Sequence, residues 1–187
     1  MPIICAEEQF PNLVFQTYRG ETKSVADVVR TKRHTVFWVM RFIGCRFCQY
    51  DIEMLEEEYC KFTDMDTQVF VVLQSSAASI NGLKGQLQVP FDVICDTNHT
   101  FYKELDIRAT ATKEDRMPKT EEGLAKLMAK QADVRTKDYQ RQTGEGEAQQ
   151  LPALFIVGPD CKVEYAHYAV NSIDIPEMDE LLRLISE

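Results

Sequence analysis

This chain of 187 residues has few basic residues and no long apolar run, and each shortage excludes a class of function. Lys and Arg number 21 against 30 Asp and Glu, so the formal net charge is -9. Because nucleic acids and anionic lipid surfaces bind basic proteins, we expect neither nucleic acid nor membrane as a partner. No apolar run reaches the roughly 20 residues of a membrane-spanning helix. The first residues also lack the basic and apolar regions of a secretory signal, which indicates a cytoplasmic protein.

Histidine is scarce as well, and the cysteines lack the spacing of a metal site. The three histidines have no regular spacing, and of six cysteines only Cys45 and Cys48 are close in sequence. The other four supply no second close pair for a zinc site: Cys5, Cys60, Cys95 and Cys161. A disulfide framework is also disfavoured, because a chain of this length with 44% hydrophobic residues can build its own core. We therefore expect one domain over residues 1–187, with no metal and no cofactor.

The cysteine pair lies where the hydrophobic pattern changes from strand to helix. Residues 35–43 form a continuous run of β-branched and aromatic residues, which is typical of a strand buried on both faces. After Gly44 the apolar residues recur at steps of three and four, which predicts an amphipathic helix. Its apolar face comprises Cys48, Ile52, Leu55, Tyr59 and Phe62.

Further strands and helices alternate along the chain, which predicts an α/β fold whose sheet core is parallel and covered by helices on both faces. Residues 12–21 indicate a short N-terminal β-hairpin or an edge strand, and residues 153–170 indicate a hairpin around Gly158-Pro159. The remaining predicted elements are strands at 68–74 and 91–95, and helices at 79–87, after Asp96, and through Met178, Leu181, Leu182 and Ile185. Residues 106–150 are highly charged and are interpreted as an insertion with at most one helix.

Cys45 is the candidate nucleophile. At a helix N-terminus the free backbone N–H groups and the helix dipole favour a thiolate. Arg41 and Arg46 flank Cys45 with positive charge, which lowers a thiol pKa further. Cys48 follows one turn later and is expected to be the less exposed sulfur, suited to resolving an intermediate formed on Cys45. The alternative is that the two cysteines are small apolar residues without a chemical role.

Three segments of the sequence resemble the alkyl hydroperoxide reductase and thiol-specific antioxidant group, the peroxiredoxin-like members of the thioredoxin superfamily. They are residues 12–43, 68–107 and 151–185. The resemblance implies a thioredoxin-like three-layer α/β/α sandwich with a mixed central sheet and an N-terminal β-hairpin. It also implies a nucleophilic cysteine at Cys45 and a thioredoxin-type or small-thiol electron donor.

The chain departs from the family pattern at two positions. Phe42 stands where the family has Thr, and Leu151-Pro152-Ala153 stands where the family has an Arg that polarises the peroxide. Both departures favour a two-cysteine exchange centre over a high-rate peroxidase. Pro152 instead resembles the cis-proline of thioredoxins, which lies against the cysteine pair, and we expect its peptide bond to be cis.

These patterns predict an oxidoreductase that cycles between a dithiol and a Cys45–Cys48 disulfide. Its substrate is a disulfide or a hydroperoxide, and an external thiol reduces the pair again. The sequence leaves open whether the protein forms a homodimer. A second hypothesis is a binding or redox-sensing module without catalysis, in which the insertion recruits a partner.

Overall fold

The computed structural model describes residues 3–83, 87–142 and 144–186. Its strands are β1 (Val14–Gln16), β2 (Thr22–Ser24), β3 (His34–Val39), β4 (Thr67–Leu73), β5 (Asp92–Cys95), β6 (Ala153–Val157) and β7 (Val163–Tyr168). Its helices are α1 (Val25–Val29), α2 (Arg46–Asp64), α3 (Ala77–Asn81), α4 (Thr100–Glu104), α5 (Glu121–Thr136) and α6 (Met178–Ser186).

The central sheet has five strands in the order β5-β4-β3-β6-β7. Strand β3 runs parallel to β4 and antiparallel to β6, so the sheet is mixed, as the family resemblance implies, and its parallel part is β3, β4 and β5. All six residues of β3 are buried, because helices cover both faces of the sheet. Strands β1 and β2 form a separate antiparallel pair, which confirms the N-terminal hairpin.

Two hydrophobic clusters separate the three layers. Helices α2 and α6 pack on one face of the sheet, through residues that include Leu55 and Leu181. Helices α1 and α4 pack on the other face, through residues that include Val25 and Phe101. The predicted thioredoxin-like α/β sandwich is therefore confirmed.

Several boundaries differ from the prediction. Strand β3 ends at Val39, and residues 40–44 form a loop whose apolar side chains remain buried. Helix α3 ends at Asn81, and residues 84–86 of the predicted helix lie outside the described residues. Helix α1 was not predicted; its five residues are too few for a helical period, and Ser24 caps its first turn. The segment 106–150 contains one helix among its described residues, α5.

Candidate active site

Cys45 lies at the junction between the central sheet and α2. It is the N-cap residue of that helix, and its sulfur accepts a hydrogen bond from the backbone N–H of Cys48 at 3.4 Å. The preceding loop is fixed by Ser75, whose Oγ accepts from the backbone N–H of Ile43 at 2.9 Å. The N-cap position therefore directs free N–H groups of the helix toward the sulfur, as the sequence predicted.

Arg41 supplies the positive charge of the site. Its Nη2 donates to Cys45 Sγ at 2.9 Å, and its Nη1 donates to the carbonyl of Ala148 at 2.6 Å. The hydrogen bond from the Cys48 thiol and the charge of Arg41 together hold the pKa of Cys45 well below its usual range, although burial opposes this. The same hydrogen bond, together with burial, raises the pKa of Cys48. The two opposite pKa shifts favour a thiolate at Cys45 beside a thiol at Cys48.

One expectation about this pair is wrong, and another stays a prediction. Cys48 is not the less exposed of the two cysteines, since Cys45 and Cys48 are each 6% exposed. Arg46 is the first residue of α2 and is exposed, and its side chain makes no hydrogen bond or ion pair among the described residues, so its supporting role stays a prediction. Arg41 is the cation that contacts the Cys45 sulfur. The difference between the two thiols is therefore electrostatic.

The peptide bond before Pro152 is trans, since there is no cis peptide bond in residues 3–83, 87–142 and 144–186. The expectation of a cis bond is wrong; a trans bond is the lower-energy form for most X–Pro pairs, by about 0.5–1 kcal/mol. Pro152 directly precedes β6 and lines the same cavity as Cys45 and Cys48. It is therefore a neighbour of the pair, in the trans form.

The insertion, residues 106–150, covers the outer side of the cysteine pair. Gln49, one residue after Cys48, donates to the carbonyls of Ile43 and Gln140 at 2.7 and 2.6 Å. One side-chain amide thus joins the loop before Cys45 to the insertion. Further along α2, Glu53 accepts hydrogen bonds from Lys137 and Tyr139 of the insertion. This packing accounts for the low exposure of both sulfurs.

A second ionic contact joins α5 to α2. Lys130 pairs with Asp51 at 2.5 Å, and its ammonium lies 5.8 Å from the ring centroid of Phe47. Burial raises the pKa of Asp51, while Lys130 opposes that shift and the charge of Cys45 adds to it. The Asp51 carboxyl group is thus electrostatically linked to the thiolate.

A cavity of about 430 Å³ opens beside the two cysteines. Its lining includes the apolar residues Trp38, Met40, Phe47, Pro152, Ile173 and Met178, and the cations Arg41, Arg116 and Lys130. This volume is within the range of small-molecule sites, roughly 300–1,000 Å³. An organic molecule with several carbon atoms fits such a space, as well as hydrogen peroxide.

Comparisons with known proteins agree with this geometry. A profile of the AhpC/TSA family matches residues 6–166, which is most of the chain. The chain belongs to the AhpC/TSA family. It is therefore a thiol-dependent redox protein of the antioxidant class, an oxidoreductase that acts on hydroperoxides. No curated protein sequence matches the chain.

Solved peroxiredoxin structures share the AhpC/TSA fold of this chain at low identity. Mycobacterium bovis AhpC has a TM-score of 0.68 at 16% identity, and the alignment covers 100% of this chain and 93% of the AhpC chain. A mutant of peroxiredoxin 6 from Arenicola marina has a TM-score of 0.67 at 15% identity, covering 98% and 72%. A yeast mitochondrial 1-Cys peroxiredoxin, described as resolved via glutathione/thioredoxin systems, has a TM-score of 0.64 at 13% identity, covering 98% and 76%.

Sequence reasoning found part of this AhpC/TSA site and missed the rest. The structure brings Arg41, Cys45, Cys48 and Pro152 to one cavity, and the catalytic roles of the two cysteines stay predictions. Arg116 was missed because it lies in the insertion, about 70 residues from the pair. No sequence signal places the insertion over the cysteines. Among the described residues, no cluster of three or more metal-ligating side chains occurs, and no helix is long and apolar enough to cross a membrane.

Proposed function

We propose that Cys45 is the peroxidatic nucleophile and Cys48 the resolving thiol of a hydroperoxide reductase. The observation that carries this is the hydrogen bond from Arg41 Nη2 to Cys45 Sγ at 2.9 Å, and the pKa of the adjacent Cys48 thiol is raised by its hydrogen bond to Cys45 and by burial. A thiolate is the reactive form of cysteine, and a cation within hydrogen-bond distance favours it at neutral pH. Two adjacent sulfurs with oppositely shifted pKa values are suited to attack and resolution respectively.

The first step is attack of the Cys45 thiolate on the terminal oxygen of the hydroperoxide. The S–O bond forms, the O–O bond breaks, and the alkoxide leaves with a proton from solvent as an alcohol. Sulfur is oxidised by two electrons and the peroxide is reduced by two. Cys45 is left as a sulfenic acid.

In the second step the Cys48 sulfur attacks the sulfenic sulfur. A disulfide forms between Cys45 and Cys48, and the hydroxyl group leaves as water with the Cys48 proton. Their positions one turn apart at the start of α2 allow the bond to form within the chain. Two equivalents of an external thiol then reduce the disulfide and are themselves oxidised to a disulfide.

The electron donor is a thioredoxin-type protein or a small thiol. The yeast relative described as resolved via glutathione/thioredoxin systems supports both kinds of donor for this proposal. A reducing compartment such as the cytoplasm maintains such donors, and six free cysteines suit it. We therefore include the cytoplasm in the proposal.

Peptide mapping tests the disulfide. Trypsin cleaves after Arg46, so Cys45 and Cys48 fall in separate peptides that only a disulfide joins. Cys60 shares the second peptide, and a Cys60→Ser background removes that ambiguity. After one equivalent of hydrogen peroxide, mass spectrometry should find the joined peptides. Their absence would rule out the resolving role of Cys48.

Stopped-flow kinetics tests the nucleophile. Cys45→Ser should abolish thiol-dependent consumption of hydrogen peroxide, whereas Cys48→Ser should keep the first step and accumulate a sulfenic acid that dimedone traps. Cys60→Ser is the matched control and should keep the wild-type rate, because Cys60 is exposed near the far end of α2. Full activity of Cys45→Ser would refute the proposal. Faster turnover with insulin than with hydrogen peroxide would identify a protein disulfide as the substrate instead.

A further inference from the structure

Arg116 lines the cavity beside the cysteine pair and has no acidic partner among the described residues. Its one side-chain hydrogen bond there runs from Nε to Oε1 of Gln149 at 3.2 Å. The carbonyl of Arg116 accepts from the backbone N–H of Ser172 at 2.9 Å, which ties this part of the insertion to the segment before α6. The Nη1 and Nη2 groups of Arg116 therefore have no hydrogen-bond partner among the described residues.

The other cations around the cavity are already engaged. Arg41 donates to Cys45 Sγ and to the carbonyl of Ala148. Lys130 pairs with Asp51, and Lys126 lies 3.6 Å from Glu122. Among the described residues, Arg116 is the cation of this cavity that forms no ion pair with a carboxylate and no hydrogen bond with a cysteine sulfur.

The surroundings of Arg116 favour an anionic ligand. The residue is half-buried, and burial followed by repulsion from Arg41 lowers its pKa, while the charges of Cys45 and Cys48 oppose the shift. An arginine stays protonated at neutral pH despite such a shift. A guanidinium that is partly removed from water gains a charge-assisted, bidentate interaction when a carboxylate binds it.

The rest of the lining limits which anion fits. One part of the lining is apolar and suits a short hydrocarbon chain; it includes Trp38, Met40 and Ile173. Carboxylates also line the cavity: Asp51, Glu57, Glu58, Asp133, Glu177 and Asp179. Asp51 is paired with Lys130, and Glu57 and Glu58 lie on α2 about 18 Å along the helix axis from Cys45, at about 1.5 Å per residue. The acidic lining disfavours a ligand with several negative charges.

We propose that Arg116 forms a carboxylate subsite, which selects a small organic monocarboxylate whose other end carries the group that reacts at Cys45. That group is either a hydroperoxide that Cys45 reduces or a thiol that reduces the Cys45–Cys48 disulfide. In either reaction the carboxylate of the same molecule would bind Arg116. The reaction at Cys45 rests on the proposed function, whereas binding of the carboxylate at Arg116 is independent of that function.

The kinetic test compares a carboxylate with its neutral amide. γ-Hydroperoxy-γ-methylvaleric acid and its amide probe oxidation, and β-mercaptopropionate and β-mercaptopropionamide probe reduction. In at least one arm the wild-type protein should prefer the acid, and Arg116→Gln should reduce the acid-to-amide ratio of kcat/KM by about tenfold. Arg116→Lys should keep part of the preference, and Arg108→Gln, an exposed control in the insertion, should keep all of it. The arm that responds identifies whether the hydroperoxide or the thiol carries the carboxylate.

A binding measurement separates this inference from the proposed function. Trp38 is the only tryptophan and lines the cavity, so its fluorescence reports occupancy. The unreactive acid γ-methylvalerate should change the emission of the wild-type protein, and the Arg116→Gln variant should need at least about tenfold more ligand. Equal binding to both proteins, or an unchanged acid-to-amide ratio in both arms, would overturn the subsite. Failure of peroxide reduction with normal, Arg116-dependent binding would overturn the proposed function alone.

Discussion

Gln142 of the insertion lies directly against Gly44, the residue before Cys45. A Cβ atom on Gly44 would come within 2.5 Å of both the Cβ and the carbonyl oxygen of Gln142, and the backbone N–H of Gln142 donates to the carbonyl of Gly44 at 3.3 Å. The backbone dihedrals of Gly44 are not the reason for glycine here, since its φ is not positive. Glycine is required because two backbone segments meet where the insertion covers the nucleophile.

Gly44→Ala should therefore displace the insertion from the active-site loop. Because the added methyl group meets backbone atoms, the chain must move, and we expect a loss of about 1–3 kcal/mol in the free energy of unfolding. Urea denaturation under reducing conditions measures this. Labelling of Cys45 by a bulky maleimide should become faster at the same time. Unchanged stability and labelling would show that residues 140–142 do not rest on the loop.

Glu53→Gln should loosen the same cover without a steric clash. The variant loses the negative charge that Lys137 and Tyr139 contact, which weakens one link between α2 and the insertion. If labelling of Cys45 proceeds through local opening, its rate should rise. Glu56→Gln is the matched control, because Glu56 is exposed on the same helix. An equal increase in the control would indicate a general effect of charge on α2.

The sequence predicted those parts of the fold that periodicity governs. The buried strands β3, β4 and β6 were found because both of their faces are apolar, and α2 because its apolar residues recur at helical spacing. The strand-to-helix junction then placed Cys45 at a helix N-cap. The end of β3 was misplaced because the loop residues Met40 and Phe42 are as buried as the strand itself.

The covering of the site could not be predicted, because it depends on contacts between residues far apart in the chain. Lys130 and Asp51 are 79 residues apart, and Arg41 and Ala148 are 107 apart. A highly charged segment is ordinarily solvated, and nothing in its local sequence indicates that it packs on α2.

Arg41→Gln should shift the pH dependence of Cys45 reactivity upward. The hydrogen bond from Cys48 and the charge of Arg41 both lower the pKa of Cys45, so removing the guanidinium leaves a higher pKa and less thiolate at pH 6. The rate of iodoacetamide labelling measured against pH gives the midpoint. Arg41→Lys should shift it less, because the positive charge remains. An unmoved midpoint in Arg41→Gln would show that the cation does not set the thiolate population.

Lys130→Met should destabilise the protein, and more so as the pH rises. The variant leaves the Asp51 carboxylate partly buried without its cation, which we expect to cost about 2 kcal/mol, less than for a fully buried pair because each side chain is 22% exposed.

The pH dependence follows from the pKa of Asp51. Burial already raises this pKa in the folded protein, and loss of Lys130 raises it further. At pH values between the pKa of Asp51 in the unfolded state and its pKa in the folded state, the folded state binds more protons. Stability therefore falls as the pH rises through that window. Urea denaturation from pH 4 to pH 8 should show this slope, and Asp51→Asn in the same background should remove it. A slope that persists without Asp51 would assign the pH dependence to another group.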